Sequence, residues 1–554
     1  MSRIHRRMLV AAGSMTALIA RALYAQDSPP TAWGRGPDAH GTVSSGASAW
    51  LGAWSPLRPI VDVPRGLLRA PLAPGLLEAP PPLAGAFVLA GAPGALARDL
   101  RPWLAGDTAR FSELRVRVAS ASGDYHRPLD VSDSRVAQVS GQGWSPVGAR
   151  GIAIGRFVID RESNDVSSFT QRVAPYYSSP FVATDSVRPP MQSTRARLEG
   201  ALGLRLGGFG LGVSAGIDTR EQNSIDFPLR RSGRAATPAA VLGVERVLPW
   251  LGMRVGGFYR WYEPNETNVL NASPLPTVIY AVQGYDEPVG LPVGSASPVF
   301  VRNDRRASAR GATLEFTALA TRVVMTYEQG DRAEDQYRDI TARSRPTDRW
   351  RARGSNSRVQ LQRSMGARGR ATIVGSHESL DGTAVRADLT GIAFDGVDTR
   401  AALEGDIRFQ LATAWSAALL GGATRLSTER SDYVVAVRSR VETTTPFLGA
   451  EVAHHRKRVA FAVGASVASS SSSGVVPSIE RAPNYRRIIA PMLAYDAAEA
   501  IAFAGWGTAS LPIRGTTFVL GGRMERASPT SVIASRAQPS GARRGWSVVV
   551  GVRK

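Results

Sequence analysis

Ala401-Ala402-Leu403-Glu404-Gly405-Asp406-Ile407-Arg408-Phe409-Gln410-Leu411 carries two interleaved patterns. Ala401, Leu403, Gly405, Ile407, Phe409 and Leu411 form one set, and Ala402, Glu404, Asp406, Arg408 and Gln410 form the other. Successive side chains of an extended chain point to opposite faces. Period two therefore means a strand with one apolar and one polar side. Arg195–Leu206 repeats the arrangement, with Leu198, Leu202, Leu204 and Leu206 against Arg195, Arg197, Glu199 and Arg205. So do Phe209–Ile217, Arg458–Val467 and Leu251–Trp261, the last with Met253, Val255, Tyr259 and Trp261 against Arg254 and Arg260.

Three features separate these stretches from a soluble sandwich. Each runs for about 10 residues, the length a tilted strand needs to cross hydrocarbon, whereas globular strands average about 5 to 6. The polar faces hold charges and small residues, which suit a wet or crowded interior. Connections alternate in length. Gly207-Gly208, Pro249-Trp250, Ala320, Ala367 and Ala412-Thr413 read as tight turns, and between them lie the polar stretches 161–194, 219–236, 264–306, 331–355, 428–443 and 469–486. Tight turns on one rim and long loops on the other describe an antiparallel up-and-down barrel. In hydrocarbon every backbone N–H and C=O needs a partner, so strands can span only as a ring without edges.

About 20 stretches between residues 111 and 553 carry some form of the pattern, weakly over 111–144 and 384–394. At 486–496 and 499–511 a short link near Ala497 breaks the short–long alternation. The expectation is all-β, a transmembrane barrel over 109–554 with about 18 strands, between roughly 16 and 20.

The chain ahead of the barrel divides in two. Arg3, Arg6 and Arg7 precede an apolar run, Met8–Ala20, and small residues around Ala25 follow. This is the layout of a cleaved secretory signal over 1–25, and the run is too short for a helical span. Residues 26–108 are rich in Pro, Gly and Ala and lack sustained alternation, as in Pro80-Pro81-Pro82. They read as a poorly structured periplasmic leader or as a plug for the lumen.

Composition narrows the chemistry. The 554 residues include 67 basic and 46 acidic side chains, 67 − 46 = +21, and every base except Lys457 and Lys554 is arginine. Signal removal takes four arginines and no acid, leaving 63 − 46 = +17. The absence of cysteine excludes disulfides, thiolate metal sites and cysteine nucleophiles. The arginines are spread along amphipathic strands without a clustered basic arm, which disfavours nucleic acid as a partner.

Gly155-Arg156-Phe157-Val158-Ile159-Asp160-Arg161-Glu162, followed by Tyr176-Tyr177-Ser178-Ser179-Pro180-Phe181-Val182, resembles an uncharacterised family of bacterial outer-membrane β-barrels. The specific words cover about 35 residues, whereas the barrel grammar covers most of the chain. The resemblance implies a Gram-negative-type outer membrane, export by the signal, and partnership with membrane lipid and the barrel-assembly machinery. It carries no catalytic residue or cofactor. Barrels of this kind commonly finish on an aromatic residue. Here the alternating Trp546, Val548, Val550 and Val552 lead into Arg553-Lys554 instead.

Catalytic signatures fail on context. Gly212-Val213-Ser214-Ala215-Gly216 spells G-x-S-x-G, but within a regular strand pattern rather than at the strand-to-helix turn a nucleophile elbow needs. His454 and His455 are adjacent, hence on opposite faces, and do not suit one metal. The expectation is no enzyme, no cofactor and no metal. The polar faces nominate Arg195, Arg197, Glu199, Arg205, Arg254, Arg260, Glu315, Arg358, Glu404, Asp406 and Arg408 as lumen lining. They form either an ion-pair network that stiffens the wall or a basic lining for a channel carrying small, anionic solutes. A non-conducting barrel whose long loops bind a partner, and an enzyme acting on lipid, are the competing classes.

Overall fold

In the computed structural model the described residues lie between Phe111 and Arg553, apart from 125–132, 165–180, 186–189, 225–230, 271–276, 284–288, 294–298, 339–345, 366–368, 456–458, 476–493, 531–540 and further turn positions taken singly or in pairs. The signal and leader expected over 1–108 lie outside them, as do Tyr176-Tyr177-Ser178-Ser179-Pro180. The first strands are β1 (Phe111–Gly123), β2 (Ser134–Val147), β3 (Gly151–Asn164), β4 (Phe181–Asp185), β5 (Met191–Leu206), β6 (Phe209–Ser224) and β7 (Arg231–Leu248). Then come β8 (Met253–Tyr262), β9 (Asn265–Leu270), β10 (Thr277–Gln283), β11 (Val289–Val293) and β12 (Val299–Ala318). β13 (Thr321–Arg338), β14 (Asp348–Ser364), β15 (Gly369–Arg386), β16 (Ile392–Ala412), β17 (Trp415–Asp432) and β18 (Val437–His455) follow. β19 (Ala460–Val475), β20 (Ala500–Ile513), β21 (Thr516–Pro529) and β22 (Arg543–Arg553) complete the set.

Each wall strand pairs antiparallel with its sequence neighbours, and β1 pairs with β22 from Glu113↔Arg553 to Gly123↔Arg543. The sheet therefore closes. β8 and β9 both lie between β7 and β12 and together make one interrupted strand, so the described wall is a closed antiparallel barrel of 18 strands. β4, β10 and β11 form a small separate sheet from the connectors that follow β3 and β9.

One expected strand is corrected. Residues 384–394 do not form one: β15 ends at Arg386 and β16 starts at Ile392. Only five residues, 387–391, separate the two strands, so the ends of both read as one segment. Most of 486–496 lies outside the described residues, and its end, Ala494-Tyr495, is helical. Tyr495 is buried in one cluster with Ala500 and Trp506. In the wall, β19 pairs directly with β20, from Ala460↔Ser510 to Ser470↔Ala500. The weak patterns at 111–121 and 134–144 are strands β1 and β2.

Wall strands are longer than their sequence pattern, up to 21 residues in β16. The reason lies on the outer face of β13 and β14. Met325 and Tyr327 pair with Val359 and Ser357, an apolar stretch on the exterior. Beyond it the same face carries Asp331 and Asp335, which pair with Arg353 at 3.3 Å and Arg351 at 2.9 Å. Both faces are polar there, the amphipathic signal disappears, and the ladder continues. The stretches expected as loops at 219–236, 331–355 and 428–443 are largely strand for this reason.

The exterior of the hydrocarbon zone is apolar. Leu403, 60% exposed, and Ile407 alternate on β16 with the buried Glu404 and the half-buried Asp406. Aromatics mark one border. Trp415, His454 and Phe461 form a row across β17, β18 and β19, with ring centroids 4.4 and 5.1 Å apart along it. His454 is thus packed between two aromatic rings near the tight-turn rim. No helix among the described residues is long and apolar enough to cross a membrane.

Candidate functional site: the inner wall

An apolar exterior and a closed ring direct the alternate side chains inward. One arc of that inner wall is charged. Arg195 grips Asp218 through Nε–Oδ1 at 3.0 Å and Nη2–Oδ2 at 2.6 Å, and Arg197 Nη2 reaches the same Oδ2 at 3.1 Å. Next to them, Arg220 Nη2 donates to Glu162 Oε2 at 3.0 Å. Arg260 pairs with Glu328, both 2% exposed. Arg305 bridges two acids, donating to Glu334 at 3.0 Å and Glu266 at 3.3 Å, and Asn268 donates to Glu266 at 2.9 Å. Nearer the tight turns, Arg322 donates to Glu315 at 2.7 Å, and Arg408 lies 3.4 Å from Asp406. Charges so withdrawn from water persist only where each meets an opposite charge and well-placed donors.

The other arc is richer in small and apolar side chains, with Glu451 and Glu525 among them. Ala418, Leu420, Phe447, Ala468, Ala500, Ala502, Ala504, Trp506 and Ala527 are buried together with Tyr495. A second cluster, Trp350, Ala352, Leu380, Ala384 and Phe394, lies toward the long-connector end of β14 to β16. The sequence pattern assigns polar lining all round, and this arc departs from it. On both arcs, aromatics lie over glycines of the next strand. A Cβ on Gly464 would stand 2.2 Å from Trp506, and one on Gly311 would stand 2.0 Å from Phe258. Glycine is required at such a close approach. The ring covers bare backbone instead of projecting toward the axis.

The eleven nominated residues divide by position. Arg195, Arg197, Glu199 and Arg205 lie on one face of β5, although the side chains of Glu199 and Arg205 lie outside the described residues. Arg254 stands directly opposite Glu315 across β8 and β12, and Arg260 is farther along β8. Arg358 is on β14, and Glu404, Asp406 and Arg408 are on β16. The structure joins Arg195 with Arg197 through Asp218, and Asp406 with Arg408. It does not gather the eleven into one site.

The partners Asp218, Glu328, Glu266, Arg305 and Glu334 escaped the sequence reading. Glu266, Arg305 and Glu334 fall in stretches read as loops. Arg332, Glu334 and Gln336 occupy every second position, so a polar residue at period two was the available signal. Ser214 sits in the unbroken ladder of β6, opposite Ala201 and Val241, and no nucleophile turn exists there. Among the described residues no group of three His, Asp or Glu is placed to hold a metal.

A family model described as a family of unknown function, DUF6850, matches residues 102–553. No curated protein matches the chain. Among solved structures, the chain is similar to BauA, the ferric preacinetobactin receptor of Acinetobacter baumannii, at 8% identity and TM-score 0.36 over 80% of each chain. It is similar to the outer-membrane transporter YddB of Escherichia coli at 6% identity and TM-score 0.37, again over 80% of each. The alcaligin receptor FauA of Bordetella pertussis matches at 8% identity and TM-score 0.35, over 81% of this chain and 76% of that one.

Proposed function

The chain belongs to the family of unknown function DUF6850, and since that membership names no activity, we propose from the barrel itself that it forms an outer-membrane passage for small polar solutes. The observation that carries this reading is the 18-strand ring with an apolar exterior and a largely charged inner arc. Rings of about 16 to 18 strands enclose room for water, whereas about 8 strands are filled by their own side chains. Flattened aromatics such as Trp506 support the same reading, because they keep bulk off the axis.

The nominated lining holds seven arginines and four acids, 7 − 4 = +3. Since Arg195, Arg197, Arg260 and Arg408 are paired with acids, the anion preference is modest. The outer membrane is reached by export through a cleaved signal over 1–25, and the long connectors face outward.

A second reading has one specific observation behind it. Asn303, Glu328, Glu266 and Asp348 face inward yet are 0–2% exposed, which suits a lumen that is occupied on that side. In this reading residues 26–108 are the occupant. β1 begins at the tight-turn rim beside the end of β22, so the preceding chain approaches the lumen from that side.

Conductance across planar bilayers separates the two. The full chain gives discrete steps if it is an open passage. If 26–108 is a plug, the full chain is silent and its deletion variant conducts. Silence of both at every voltage overturns the passage itself.

A further inference from the structure

Arg526 on β21 and Arg544 on β22 are directly opposed cross-strand partners. Both are exposed and both lie on the outer face. Directly opposed side chains on a sheet come within about 5 Å at Cβ, and like charges there repel. Neither guanidinium has a carboxylate or other polar partner among the described residues. Asp124, just past the end of β1 and beside Gly541, makes no ion pair with either. Some exposed arginines elsewhere on the outer face are matched, Arg353 by Asp331, Arg351 by Asp335 and Arg234 by Glu221, whereas Arg310 and Arg349 stand singly; Arg526 and Arg544 are opposed to each other.

Their height is informative. Arg526 stands 526 − 516 = 10 residues from the tight-turn end of β21, and Arg544 stands 553 − 544 = 9 residues from the far end of β22. A tilted strand crosses hydrocarbon in about 9 to 11 residues. Immediately below the pair are Met524, 73% exposed, and Trp546, 46% exposed, which are also cross-strand partners. Below those lie Leu520, Val548 and Val550. Ser122 sits opposite Arg544 on β1, and Ser120 opposite Trp546. Two unmatched guanidiniums and a hydroxyl thus stand at the upper edge of the apolar zone, on top of an aromatic side chain.

We propose that Arg526 and Arg544, assisted by Ser122, bind the phosphate group of an outer-leaflet lipid whose acyl chains lie along Met524 and Trp546. Planar guanidiniums match phosphate oxygens bidentately, and a shared anion converts their mutual repulsion into attraction. A soluble phosphate would gain nothing from the apolar zone beneath; a phosphorylated glycolipid gains both contacts. The proposal rests on the reading that the long-connector rim faces the outer leaflet.

The test uses the full chain purified in detergent, with native mass spectrometry counting retained lipid. The probes are diphosphorylated lipid A and its dephosphorylated form. The proposal expects the wild type to retain the phosphorylated probe selectively, and R526Q/R544Q to lose about tenfold or more of that affinity. R353Q, which touches an already matched arginine, should retain it. R526E is the decisive variant. It offers Arg544 an opposite charge, so the barrel should fold and resist urea at least as well as the wild type, yet lose the lipid.

Equal retention by R526E, or equal retention of the dephosphorylated probe, overturns the proposal. Displacement by millimolar inorganic phosphate with no dependence on acyl chains assigns the pair to a free anion and overturns the lipid reading. The readout is binding rather than conductance. A silent barrel that still selects the phosphorylated probe retires the passage and leaves this site standing, and a conducting barrel without selectivity does the reverse.

Discussion

Trp506 of β20 reaches across Gly464 of β19 and donates its indole N–H to Glu451 of β18 at 3.0 Å. The three residues occupy one cross-strand row, Glu451↔Gly464↔Trp506. The missing side chain in the middle lets a side chain on one strand bond to the next strand but one, and the inner wall is laced across as well as along its ladders.

Gly464→Leu should expel the ring from that row. The cost combines overpacking with a carboxylate that loses its donor, about 1–3 kcal/mol. Urea unfolding of the reconstituted barrel, followed by tryptophan fluorescence, reads it. Trp506→Phe in the Gly464→Leu background should then cost little more. An independent, additive loss would show that the two positions are not coupled.

Arg260→Met should be among the more damaging single changes. It strands Glu328, a buried carboxylate, and removing one partner of a buried pair costs about 3–5 kcal/mol. Arg260→Met with Glu328→Leu removes both charges and should recover most of that loss. The same unfolding measurement decides. A double variant as unstable as the single would mean that neighbouring groups, not the pair, set the cost.

Ile407 and Gln410 lie on opposite faces of β16. Ile407→Arg places a charge against the middle of the hydrocarbon and should destabilise by about 2–4 kcal/mol, whereas Gln410→Arg faces the lumen and should change stability by less than about 0.5 kcal/mol. Folding yield into lipid vesicles, compared side by side, checks the assignment of faces.

Asp218→Asn leaves Arg195 and Arg197 without their shared counter-charge. If solutes pass through this lumen, the reversal potential in a KCl gradient should move toward the chloride value, with little change in single-channel size. An unmoved potential would place the Asp218 cluster off the conduction path.

Much of this architecture is legible in the sequence, and the failures share a cause. Alternation betrays a strand only where one face meets lipid. In β16 the alternation of Leu403, Ile407 and Phe409 with Glu404, Asp406 and Arg408 is unmistakable. In the upper part of β13, Asp331, Arg332, Glu334 and Asp335 place charges on both faces, so the strand reads as loop although its ladder with β14 is unbroken. The hidden partners follow directly: Arg305, Glu266 and Glu334 lie in those doubly polar stretches. Which arginine meets which acid depends on register across strands tens of residues apart, and no local spacing encodes it.

Closure of β1 onto β22 joins residues that stand more than 400 positions apart, Glu113 and Arg553. The earliest strand waits for the last before its backbone is satisfied, so the cylinder has no stable unfinished form in oil. The finished object is hard to take apart for the same reason. Each strand is held by two flanking ladders, and a protease that severs one connector, for example between β13 and β14, creates two pieces with no seam along which to separate. Such a nicked protein should migrate as one folded species until it is boiled.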